Sequence, residues 1–396
     1  MAPQEDTLNR IILLGATGYT GSRTLANLAA ASETEIVLVG RSAERLGHQA
    51  RTVGVECQIV EADTAVPGAL DGVLKSGDVV LTTVGPFVDL GRQAARSAAR
   101  AGAVYLDSTG EPPFVDWMFR TVSDDAKASG ALLIPAFGYD YVPGNVAGWL
   151  AAREGGEHAA AVEVGYFLWR YVAGAANPYR RPSQREMMST ATTPGTRQSL
   201  VQVLGTPSFA YRANTGDPFG LTVERTGANL LKFDMAGQTH TAITIGGSEH
   251  FGLPEVLPHL RRVDVGLGWF GAAATPIHYA SRFGGPLTTN RIVRRITATL
   301  ARHLPYAEQL PTLPTRISAA ARTRDSAGNI LSELIIDAPG PYELTADLLA
   351  RAALHFATGT DHPAGVHGPL VALGPDTLVA LGEQCGLAVR PDKPRR

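Results

Sequence analysis

Three glycines at three-residue spacing, in Gly15-Ala16-Thr17-Gly18-Tyr19-Thr20-Gly21, are where residue type and spacing first point to chemistry. They close an apolar run, Ile11–Gly15, and open a helical pattern, Thr20–Ala31. Glycine permits the tight strand-to-helix turn and lets a pyrophosphate approach the backbone, where unpaired amides at the positive end of the helix receive it. As the first unit in a series of alternating strands and helices, the pattern predicts dinucleotide binding. The next strand, Glu35–Gly40, runs into Arg41 and Ser42, with Arg45 one helical turn beyond. An NAD site would end that strand with an acid for the ribose 2′-hydroxyl. Arginine forks and a hydroxyl suit a 2′-phosphate instead, so the expected cofactor is NADPH. Asp63, past the third strand, stands where an adenine amino group would be held, or where a helix would be capped.

Further along, Val84, Gly85, Pro86 and Phe87 close the fourth strand, at an edge suited to shaping a loop beside a nicotinamide. Phe137, Tyr139, Asp140 and Tyr141 follow the sixth strand. A tyrosine there can donate a proton and Asp140 can orient it, while at least one of the aromatics is expected to pack. Tyr141 is the first choice as donor; Tyr139 and His250, which lies beside Glu249, are the others. Asp107 and Glu111 share a loop and read as loop scaffolding before they read as an acid–base pair. The arginines of Tyr179–Arg185 read as a solvated loop, with a phosphate or carboxylate contact as the alternative. No His-x-x-x-His or His-Glu-x-x-His spacing occurs among the ten histidines, so no metal is expected.

These residues need elements to position them. Apolar runs at Cys57–Ala62, Asp78–Val84, Ala103–Asp107 and Ala131–Ala136 continue the strand series. Helical patterns at Ser42–Arg51, Leu90–Ala101 and Phe114–Ser129 fill the gaps. Such alternation predicts a Rossmann-type, doubly wound parallel sheet in an α/β domain over residues 1–146. A second, α+β domain over 147–339 is expected on a mostly antiparallel sheet, after a helix at Asn145–Arg153. Its strands are Ala161–Tyr171, Leu221–Arg225, Thr241–Ile245, Arg262–Trp269, Ile317–Arg324 and Ile330–Asp337, the last two forming a hairpin around Asp325–Asn329. Helices are expected at Thr196–Leu204 and Asn290–His303, and in the tail at Leu344–Thr358 and Pro375–Cys385.

Composition narrows the classes. Of 396 residues 18% are charged and 44% hydrophobic, which allows a large core and excludes wholesale disorder. A formal charge of −2 gives no reason to expect nucleic acid as a partner. Two cysteines, Cys57 and Cys385, exclude a disulfide framework. Neither a secretory leader nor a membrane span is expected, which points to the cytoplasm. The four lysines, Lys75, Lys127, Lys232 and Lys393, all lack a tyrosine four residues earlier, which excludes active short-chain dehydrogenase chemistry.

The order GATGYTG, GRS, GPF with Gly91, YLDSTGE (Tyr105–Glu111) and GYDYVP (Gly138–Pro143) resembles the saccharopine dehydrogenase-like oxidoreductases, particularly their trans-acting enoyl reductase branch. Looser agreement follows in PGTRQS (Pro194–Ser199), GSEH (Gly247–His250) and GPYELTA (Gly340–Ala346). The chain departs from the family pattern at Asn145, usually acidic, and at Pro194, usually glycine. The resemblance implies a C-terminal segment, 340–396, that rejoins the first domain. It also implies reduction of an activated double bond in a lipid- or polyketide-type acyl intermediate, small or carrier-bound. A second copy of the chain is the other partner left open. Two alternatives stand beside this one: saccharopine-type imine reduction, and a non-catalytic NADP(H)-binding protein. The cofactor reading yields a first prediction. NADPH should bind roughly 10- to 100-fold more tightly than NADH, and Arg41→Ala should erase most of that margin in fluorescence titrations. Equal affinities in the unmodified protein contradict it.

Overall fold

The computed structural model describes residues 9–31, 34–175, 179–204, 206–235, 237–283 and 310–390. Chain contacts divide the protein into two units. The first comprises Met1–Thr109, Phe114–Asp140 and Tyr342–Thr377, and the second Gly110–Pro113, Tyr141–Pro341 and Leu378–Arg396.

In the first unit, strands β1 (Ile11–Leu14), β2 (Ile36–Gly40), β3 (Gln58–Glu61), β4 (Val79–Thr82), β5 (Val104–Asp107) and β6 (Leu132–Ile134) form a wholly parallel sheet, completed by Gly365–Val366 beside β6. The order across the sheet is Gly365–Val366, β6, β5, β4, β1, β2, β3, so it reverses between β1 and β4. Ile11, Ile12, Leu13 and Leu14 are all fully buried, as in a strand covered on both faces. Helices α1 (Tyr19–Ala31), α2 (Ala43–Val53), α3 (Phe87–Ala101), α4 (Pro112–Thr121) and α5 (Ser123–Ser129) connect these strands. The pattern over Phe114–Ser129 predicted one helix, but two form, joined at Val122 (φ −107°). At the amino ends of β1 and β4, Arg10 grips Asp78 with a fork, Nε to Oδ1 at 3.0 Å and Nη2 to Oδ2 at 2.7 Å.

The second unit begins with α6 (Val142–Gly155) and is built on β7 (Ala161–Tyr171). The short β8 (Tyr179–Arg180) pairs with the end of β7; α7 (Gln184–Ser189) and α8 (Pro194–Leu204) follow. Next come β9 (Pro207–Arg212), β10 (Leu221–Arg225), β11 (Leu230–Met235), β12 (Gln238–Ile245), α9 (Glu249–Val256), β13 (Arg262–Leu267), α10 (Ala274–Phe283), β14 (Thr315–Arg324) and β15 (Ile330–Ala338). The sheet is mixed and mostly antiparallel, with β7 parallel to β13 and antiparallel to β14. Alternation along β7 sends Tyr166 toward α6 and Phe167 and Trp169 into a core with Leu231, Phe233 and Met235. Strands β8, β9 and β11 and helices α7, α9 and α10 were not foreseen. Helix α9 carries Gly252 and an internal Pro254, which hide its helical signal. The helix expected at Asn290–His303 lies outside the described residues.

The chain then returns through α11 (Pro341–Ala357) in the first unit, and the last short strand, Ala388–Val389, pairs with β15 in the second. Within the second unit, Glu163 on β7 accepts from Arg322 and, at 3.0 Å, from Arg324 of β14. The Glu163 side chain is only 9% exposed. Removing one partner of such a pair strands the others' charge, so Glu163→Ala should cost about 3 kcal/mol in denaturant unfolding. An unchanged midpoint would contradict that.

Candidate functional site

The ends of β1 and β4 meet where the strand order of the first sheet reverses, the place where open parallel sheets bind ligands. Gly15 has φ +91°, and a Cβ there would stand 2.7 Å from Thr83 Oγ1. A Cβ on Gly21 would stand 2.1 Å from the Gly15 carbonyl oxygen. The turn is closed by Gly18 N–H donating to that same carbonyl at 2.9 Å, while Thr17 and Gly18 face solvent. This concave turn, open at the amino end of α1, fits a dinucleotide pyrophosphate. Tyr19 is held from two sides. The Arg23 guanidinium lies 3.7 Å over its ring, and Tyr342 meets its edge at 5.2 Å.

At the end of β2, Arg41 and Arg45 are exposed and have no carboxylate partner among the described residues. Ser42 caps α2, its Oγ accepting from Arg45 N–H at 3.3 Å, and Glu61 accepts the Ala43 N–H at 2.9 Å. Asp63 is exposed and its carboxylate accepts the Ala65 N–H at 3.1 Å, a turn-forming contact. Val84 N–H donates to Thr82 Oγ1 at 3.2 Å, a cis peptide joins Gly85 to Pro86, and Phe87 packs on Phe114 at 5.7 Å.

After β6 the backbone turns through Ala136, at φ +61°, a conformation that costs a non-glycine residue about 1 kcal/mol. Buried Asp107 holds this turn: its Oδ1 accepts from Ala136 N–H, and its carbonyl accepts from Phe137 N–H at 2.7 Å. Tyr139 is buried, its N–H donating to Thr345 Oγ1 at 3.0 Å. Asp140 keeps a little exposed surface, yet burial pushes its carboxyl up to about 7.

Tyr141 belongs to the second unit. Its phenol donates to the Gly110 carbonyl at 3.3 Å, and its own carbonyl collects the Tyr166 hydroxyl at 3.0 Å and Asn145 Nδ2 at 2.9 Å. Tyr166 Oη also lies 2.5 Å from Glu249 Oε1 and accepts Gly144 N–H at 2.9 Å. A Cβ on Gly144 would stand 2.0 Å from that hydroxyl, so only glycine fits beneath it. Asn145 reaches Ser248 Oγ at 3.0 Å. Reading the sequence for donors missed Tyr166 and passed over Glu249; the paired signals were Gly144 and the GSEH run. Glu111 is buried and accepts from Ser199 Oγ on α8 at 2.7 Å, so Asp107 braces its own turn while Glu111 reaches a helix of the second unit. His250 is buried edge-on to Phe209 at 5.5 Å, and neither ring nitrogen has a hydrogen-bond partner among the described residues. Burial, then the nearby Arg212 charge, pushes its imidazole down to about 3. Among the described residues no group of histidine, cysteine or carboxylate side chains could hold a metal, and no helix is long and apolar enough to cross a membrane.

With this geometry in hand, the chain can be set beside known proteins. No protein-family model matches it. It is 38% identical over 140 residues to a trans-acting enoyl reductase of Mycobacterium leprae, covering 34% of each chain. It is 33% identical over 198 residues to a putative trans-acting enoyl reductase of Mycobacterium tuberculosis, covering 48% of this chain and 47% of that protein. In fold it matches apo saccharopine dehydrogenase of Saccharomyces cerevisiae at TM-score 0.57 and 12% identity, over 96% of this chain and 99% of that one. The chain resembles trans-acting enoyl reductases in sequence and saccharopine dehydrogenase in fold. The sequence matches span a third to about half of those relatives' own length. A homospermidine synthase of Legionella pneumophila, solved with NAD, has the same TM-score of 0.57 at 10% identity, over 96% of this chain and 91% of that one.

The Asp140 carboxyl sets a pH dependence with a definite sign. A carboxyl raised to about 7 stays protonated in the fold while the unfolded chain ionises from about pH 4 upward. The stability of the unmodified protein relative to Asp140→Asn should therefore fall as pH rises from about 4 to about 7, then level off. Denaturant unfolding at several pH values measures it, and a difference independent of pH contradicts it.

Proposed function

We propose that the protein is an NADPH-dependent reductase of an activated C=C bond in an acyl thioester, small or carrier-bound. The observation that carries this reading is the glycine-lined turn at the β1/β4 reversal in a chain whose sequence matches are named trans-acting enoyl reductases. Exposed Arg41 and Arg45 support NADPH over NADH, since two unpaired guanidinium groups at the ribose end outweigh the single carboxylate of Glu61.

NADPH, held at the Gly15–Gly21 turn with exposed Arg41 and Arg45 toward its 2′-phosphate, would supply a hydride to the β-carbon of the substrate, leaving the α-carbon to take a proton. Tyr141 Oη is the assigned donor, and its backbone is held still by Tyr166 and Asn145. His250 is a poor donor because its imidazole is neutral far below physiological pH.

Imine reduction is the second reading, for which Arg197 is a buried cation, although its guanidinium already donates to the Thr192 carbonyl at 2.6 Å. NADPH consumption with a 2-enoyl thioester, set against an amino acid plus aldehyde, separates the two. Turnover of the thioester alone supports the proposal and turnover of the imine pair alone overturns it. Tyr141→Phe should lower thioester turnover by about 10²–10⁴-fold with nucleotide affinity nearly unchanged. Full activity in that variant removes Tyr141 from its role.

A further inference from the structure

Tyr342 and Thr345 lie three residues apart in the first turn of α11, hence on one face of the helix. Each touches a different functional loop of the first unit. Tyr342 meets the edge of Tyr19, in the glycine-rich turn after β1, and Glu343 stands 4.0 Å from Arg23, which covers the other side of that ring. Thr345 Oγ1 accepts the Tyr139 N–H at 3.0 Å, in the loop after β6. A Cβ on Gly138 would stand 2.8 Å from Thr345 Cγ2, so the loop lies directly on this threonine.

The two loops leave strands that are not neighbours. β4 and β5 stand between β1 and β6, which separates them by three interstrand steps, about 14 Å. The first turn of α11, with its side chains, spans that gap. Leu344, Leu348 and Leu349 are fully buried, which fixes the helix against the first unit, so that its turn transmits displacement instead of absorbing it.

We infer that the first turn of α11 couples nucleotide occupancy of the glycine-rich turn to the position of Tyr139 and Asp140. Tyr342 and Thr345 are the positioning residues. A nucleotide settling against the amino end of α1 fixes the Tyr19 ring. Tyr342 passes that constraint to the helix, and Thr345 passes it to the Tyr139 amide. Linkage makes the effect reciprocal: loosening the Thr345 contact weakens nucleotide binding by the same factor that the nucleotide tightens the loop. This rests on the reading of the glycine turn as a nucleotide cradle, and on nothing about the substrate.

The test is amide hydrogen exchange at Tyr139 in the full chain, with and without NADPH, alongside titration of NADPH affinity. In the unmodified protein NADPH should slow Tyr139 exchange about tenfold. Thr345→Ser, which keeps the hydroxyl, and Tyr342→Phe, which keeps the ring, should behave the same way. Thr345→Val and Tyr342→Ala should still bind NADPH, a few-fold more weakly, but lose most of the protection. Circular dichroism checks that each variant folds; should the Val or Ala variant fail, Thr345→Ala and Tyr342→Leu take their places. Binding without protection in the unmodified protein overturns the inference while leaving the cradle intact, as does equal protection in all variants. Absence of binding by both NADPH and NADH overturns the cradle reading, and the inference with it.

Discussion

One steric constraint governs the first unit: the helix α1 runs so close to the turn after β1 that residue 21 has no room for a side chain. The would-be Cβ falls 2.1 Å from a carbonyl oxygen, far inside any contact that real atoms make. That approach keeps the amino end of α1 tight against the sheet and its first amides aimed at the strand reversal. The left-handed Gly15 and the Gly18–Gly15 hydrogen bond follow from the same closeness. Val84 lies against this turn, its side chain 3.0 Å from where a Gly15 Cβ would be. A side chain at position 21 would push the helix away and open the cradle from beneath.

The second unit depends on a comparable closeness, with Gly144 beneath the Tyr166 hydroxyl. There the crowding serves hydrogen bonding: one tyrosine hydroxyl accepts an amide, approaches a carboxyl and reaches the Tyr141 carbonyl. Asp140, in the first unit, and His250, in the second, show what burial does to a titratable group. The acid is pushed up and the base down, each toward its neutral form. The directions match, but the consequences differ. An acid at about 7 exchanges protons at neutral pH, whereas a histidine at about 3 does not.

The parallel sheet was legible in the sequence because strands buried on both faces, such as Ile11–Leu14, are continuous apolar runs. The glycine turn was legible because glycine at 15 and 21 is forced by backbone geometry, which leaves a trace in residue type. Strand β11 was missed although its residues alternate, since it is only six residues long and carries charged Lys232 and Asp234 on its outward face. Tyr166 was hidden differently. It sits in a strand where an aromatic is an ordinary core residue, and only its partners 22 and 83 residues away give it a polar task. The coupling of Tyr19 and Tyr139 through α11 was invisible for the same reason: the residues concerned are brought together by the fold and not by proximity in the chain.

The central claim is that a hydride from NADPH reaches the β-carbon of an enoyl thioester. The direct measurement is to supply NADPH carrying deuterium at the transferring C4 position with a 2-enoyl thioester and to locate the label by NMR and mass spectrometry. The account predicts a saturated thioester with one deuterium at the β-carbon and a solvent-derived proton at the α-carbon. Label that appears only in an amine formed from an amino acid and an aldehyde, with the enoyl thioester returned unchanged, would contradict it.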